Sequence, residues 1–108
     1  MIKEAAVKKL QTIWTSDDRK LGLAQRLFHR IEGVEPKVLL YGTYLQVENF
    51  ELGSTYFIPT DFLIEEASEE GKLRVSKTFQ EIQQLTWFRM PTFIASGKGR
   101  EEPLPVES

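Results

Sequence analysis

Through the first third of the chain, apolar residues recur at steps of three and four. Ile2, Ala6, Val7, Leu10, Ile13 and Trp14 fall on one face at 100° per residue, with Glu4, Lys8, Gln11 and Thr12 opposite. This spacing predicts a helix over residues 2–14. Thr15-Ser16-Asp17-Asp18 then reads as a helix start, with Ser16 as cap and two carboxylates at the positive end of the macrodipole. Arg19 stands where a full capping box needs Glu or Gln. A second helix follows to about residue 32, burying Leu23, Ala24, Leu27, Phe28 and Ile31, and Gly33 and Pro36 end it.

After residue 37 the pattern changes to that of strands. Residues 37–47 carry Leu39, Tyr41, Thr43, Leu45 and Val47 on one face, with Val38, Leu40 and Tyr44 on the other, so both faces of the early half are expected to be covered. Gly42 within it suggests a bulge or a close backbone approach. Residues 49–54 form a turn, whose Phe50 and Leu52 are expected to tuck under the sheet edge, since large exposed apolar patches are rare. A second strand, 55–65, alternates Tyr56, Ile58, Phe62 and Ile64 against Phe57 and Leu63, and Pro59 puts it at an edge or a bulge. Residues 65–71 form an acidic turn. A third strand, 72–77, is expected to pair antiparallel with the second, where Glu65 and Glu66 meet Lys72 and Arg74.

Thr78-Phe79-Gln80-Glu81 has the form of a capping box. It predicts a short helix or bent strand over 78–85, followed by extended chain through residue 94 with Pro91 at an edge. From residue 97 onward Gly, Pro and charge leave little to bury, which reads as a flexible tail, 97–108, on an α+β domain, 1–96. The expected architecture is therefore α+β: an N-terminal helix pair packed on a small antiparallel sheet of three to five strands.

Composition narrows the chemistry. With 108 residues and no cysteine, the chain is long enough for a core of its own and has no disulfide, thiol nucleophile or Cys-ligated zinc. The single histidine, His29, excludes a two-histidine metal site. A Ser-His-Asp triad needs His29, and no nucleophile elbow accompanies it. The acidic turn lacks the ligand ladder of a calcium loop. No cofactor, metal or catalytic residue is expected, and the protein reads as a non-enzyme. Without a long apolar run or a secretory pattern at the start, a cytoplasmic location without membrane association is expected.

The net charge of −2 hides an uneven distribution. Residues 1–37 carry eight Lys/Arg against five Asp/Glu, and residues 38–75 carry two against seven. On a helix, Arg19, Arg26 and Arg30 form one basic stripe beside His29. Trp87, Phe88, Arg89 and Met90 are residue types enriched at interaction surfaces. The expected function is a small adaptor or regulator that binds another protein through that stripe and that apolar segment. Two alternatives stand beside it: a nucleic-acid-binding regulator using the basic second helix, and a carrier of a small apolar ligand. Self-association through open sheet edges at Pro59 and Pro91 is a further option.

Overall fold

The computed structural model describes residues 7–30, 42–65, 73–95, 97 and 99–106. They form seven strands, two short helices and one 3-10 turn in the order β1 (Thr12–Trp14), β2 (Lys20–Arg30), β3 (Thr43–Asn49), β4 (Ser54–Pro59), the 3-10 turn (Thr60–Phe62), β5 (Leu63–Glu65), β6 (Leu73–Val75), α1 (Phe79–Gln84), α2 (Thr92–Ala95) and β7 (Gly99–Pro103). The fold is mainly β. The expected helix pair is absent from the described part of its range, and residues 1–6 and 31–41 lie outside the described residues.

The correction has a specific cause in β2, the central strand. Opposite β1, Ile13 pairs Gly22 while Trp14 pairs Lys20, so Leu21 is an extra residue; opposite β3, Ala24 pairs Val47 and Arg26 pairs Gln46, so Gln25 is another. A bulge shifts the side-chain phase by one residue. The buried positions therefore fall at Leu21, Ala24 and Leu27, all essentially inaccessible. Steps of three imitate a helical face. Between the bulges the bent strand runs so close to β3 that a Cβ on Gly22 would lie 2.4 Å from the Glu48 carbonyl oxygen.

The sheet order is β4-β3-β2-β1-β6-β5, with β7 pairing β2. All pairings are antiparallel except β1 with β6. β2 is long enough that β1 takes its first half on one edge and β7 its second half, from Arg26 opposite Pro103 to Arg30 opposite Gly99. The two ends of the order, β4 and β5, are consecutive in the chain across the 3-10 turn, so the sheet curls round on itself.

The core fills the concave side. Ile13, Leu21, Leu27, Leu45, Val47, Tyr56, Ile58, Leu63, Leu73, Val75 and Ile82 form one buried cluster. Full burial of such side chains contributes about 1.5–3 kcal/mol each before entropy is counted. On the opposite face Tyr44 and Phe57 are buried against Phe28 and Ile94, so the middle of β3 is covered on both sides. The antiparallel β5–β6 pair places Leu63 opposite Val75 and Ile64 opposite Arg74; Glu66 and Lys72 lie outside the described residues.

Two further expectations are corrected. The supposed flexible tail includes β7, and beyond it Leu104 is 5% exposed and the Pro105 carbonyl accepts the Lys9 N–H at 2.9 Å. The Gly42 carbonyl accepts the Arg30 N–H at 2.8 Å, and among the described residues a Cβ on Gly42 would meet nothing within 4 Å. Residues 85–94 are not extended: turns lead from α1 into α2, where the Ile94 and Ala95 N–H groups both donate to the Pro91 carbonyl.

Candidate protein-interaction surface

The Arg19/Arg26/Arg30 stripe does not exist as a stripe. Arg19 lies in the loop between β1 and β2, with its guanidinium 4.3 Å from the centre of the Phe79 ring. Arg26 donates to Glu101 of β7 at 3.0 Å. Arg30 ends β2 and is exposed, its N–H bonded to the Gly42 carbonyl. Arg26 and Arg30 share the outer face of the strand with Phe28 between them, because strand alternation has period two. The helix required for groove readout of nucleic acid is a strand.

The β1–β2 loop that holds Arg19 is instead a structural joint. Asp17 Oδ1 accepts from the Thr15 hydroxyl and, at 3.2 Å, from the Phe79 N–H at the start of α1. The Thr15 bond, helped by that of Phe79, holds the Asp17 carboxyl below the usual carboxylate range against an opposing effect of desolvation that is larger than the Phe79 contribution. Arg74 of β6 donates to the Thr15 carbonyl at 2.7 Å and to Asp18 at 3.0 Å. The capping box of α1 is formed as the sequence suggests: Thr78 Oγ1 accepts from the Glu81 N–H and Glu81 accepts from the Thr78 N–H. Those bonds to Thr78 lower the Glu81 carboxyl.

The segment after α1 behaves differently. Trp87 turns inward, half-buried, its ring centre 4.9 Å from that of Phe62, and its carbonyl accepts the N–H of Phe57 in β4. Its neighbours turn outward. Leu85 is 44% exposed, Phe88 41% and Met90 52%, and Arg89 is exposed between the last two. Local bonds fix this backbone: Leu85 N–H to Glu81 carbonyl, Trp87 N–H to Ile82, and Arg89 N–H to Thr86. Thr86 adopts φ 56°, which turns the chain out of the helix. Of the four residues singled out in this segment, Phe88, Arg89 and Met90 are brought together at the surface and Trp87 is their anchor. Leu85 joins them. Its place three residues after Ile82 reads as core, yet Leu85, the last residue with helical backbone before the turn at Thr86, is exposed.

A second apolar exposure lies at the tip of the β3–β4 hairpin. Phe50 is 66% exposed and Leu52 63%, contrary to the expectation that they tuck under the sheet.

His29 is the polar feature that sequence reasoning placed wrongly. On β2 its Nδ1 lies 3.1 Å from Thr43 Oγ1 and its Nε2 3.2 Å from Glu102 Oε2. A hydroxyl–imidazole–carboxylate chain results, tying β3, β2 and β7 together; with Nε2–H given to Glu102, Nδ1 accepts from the Thr43 hydroxyl. Among the described residues no group of three or more His, Asp or Glu side chains is arranged to hold a metal ion, and no helix is long and apolar enough to cross a membrane.

Comparison with known proteins adds no relative. No family model, curated protein or solved structure matches the chain. The surface chemistry of the chain itself is what bears on function.

Proposed function

We propose that the protein is a non-enzymatic interaction module that binds a protein partner through Leu85, Phe88, Arg89 and Met90. One observation carries this reading: three large apolar side chains, each 41–52% exposed, sit on a backbone fastened from below by Trp87. A backbone already fixed by local hydrogen bonds adds little ordering cost on binding, which leaves the side-chain rotamers as the main freedom lost. Aromatic, Met and Arg side chains are the types that dominate binding energy at interface centres. The arginine stripe has no part in the proposal, because Arg19 and Arg26 hold elements of the same chain.

Native mass spectrometry of the untagged protein, purified gently from its own host, tests the proposal. Wild type is expected to carry a bound polypeptide, and Phe88→Ser with Met90→Ser to lose it while keeping the melting temperature. A complex that survives this double substitution removes the segment from consideration.

A further inference from the structure

The two apolar exposures are complementary in charge. At the hairpin tip Phe50 and Leu52 flank Glu51, while after α1 Phe88 and Met90 flank Arg89. One is apolar–acid–apolar and the other apolar–base–apolar. Both are exposed in the isolated chain, so neither covers the other within one molecule.

Local hydrogen bonds shape the tip as they do its counterpart. Asn49, 7% exposed, accepts the Leu52 N–H at 2.9 Å and donates through its amide to the Leu21 carbonyl at 3.2 Å. Gly53 supplies the positive φ, 68°, that closes the turn. Glu51 reaches Lys20 at 3.3 Å, but the two side chains are 78% and 45% exposed. A pair so open to water is worth little. Glu51 can therefore exchange it for an arginine in a drier contact.

We infer that the partner is a second copy of this chain: Phe50, Glu51 and Leu52 of one molecule dock on Phe88, Arg89 and Met90 of the next. The inference rests on the interaction reading above and names the partner for the same segment. Tip and receptor are different surfaces, so the contact is heterologous, and repetition gives a ring where the rotation closes and an open filament where it does not. A net charge of −2 per copy opposes such assembly only weakly. Two three-residue patches lie at the small end of interface sizes, so the association is concentration-dependent rather than permanent.

Sedimentation velocity over roughly 10 μM to 1 mM, a range suited to a weak contact, tests it with Glu51→Arg and Arg89→Glu. Wild type is expected to sediment faster with rising concentration, and each variant alone to remain monomeric at unchanged melting temperature. An equimolar mixture of the two variants restores association, because each tip then meets a ridge of opposite charge. If either variant fails to fold, Phe50→Ser with Leu52→Ser replaces it as the tip-blocked chain, and loss of association is again the expected result. A wild type that stays monomeric throughout, or folded charge variants whose mixture does not associate, overturns the inference. The interaction proposal is judged separately, by whether a complex from the host is lost with Phe88→Ser and Met90→Ser.

Discussion

The guanidinium of Arg19 rests 4.3 Å from the centre of the Phe79 ring, joining the β1–β2 loop to the first residue of α1. An arginine that reads as part of a binding stripe is thereby a clasp within the fold. Arg19→Ala is expected to cost about 0.5–1 kcal/mol, the scale of an exposed cation–π contact. In a urea-denaturation cycle that loss should vanish in a Phe79→Leu background. Partner affinity should not change.

The same joint makes the protein sensitive to acid. Asp17 is held below its usual range by the Thr15 hydroxyl and the Phe79 N–H. A carboxylate whose folded value is depressed adds stability that is fully present above its unfolded value and disappears as pH falls through the folded one. Thermal melts should therefore lose this contribution only as pH drops from the ordinary carboxylate range to below it. Asp17→Asn should melt lower than wild type at neutral pH, with the difference shrinking in acid.

Gly22 is expected to tolerate no side chain. A Cβ there would meet Glu48 backbone atoms at 2.4 and 2.7 Å, at a φ of 156°. Gly22→Ala should cost about 2–5 kcal/mol by enforced overlap and backbone strain, measured by chemical denaturation.

Trp87 and Phe88, adjacent in sequence, should separate stability from binding. Trp87→Ala removes the packing on Phe62 and is expected to cost about 2–3 kcal/mol, below the usual loss for a fully buried aromatic. Phe88→Ser should stay within about 0.5 kcal/mol of wild type, as surface changes do, while weakening the complex at least tenfold in an affinity titration.

What the sequence made legible was local. The capping box from Thr78 to Glu81 involves neighbours three residues apart, and it forms. Strong alternation around Leu45, Val47, Tyr56 and Ile58 marks β3 and β4, and all four residues are buried. β2 misleads because the extra residues at Leu21 and Gln25 turn a two-residue repeat into a three-residue one, a signal indistinguishable from a helix without the partner strands. β7 has the composition of a tail. It is a strand because the second half of β2 offers it an edge some seventy residues earlier in the chain, a long-range pairing that no short window contains. For the binding surface, residue types pointed to residues 87–90, but only the turn after Gln84 shows which of them face out.

Hydrogen exchange tests the central claim, that the ridge after α1 is where the partner binds. The rate is read by mass spectrometry on the free protein and on its complex. Slowed exchange in residues 85–90 on complex formation, with the β1–β2 loop unchanged, is the expected result. Protection confined to other elements, such as the β2–β7 edge near His29, with residues 85–90 exchanging as in the free chain, would contradict it.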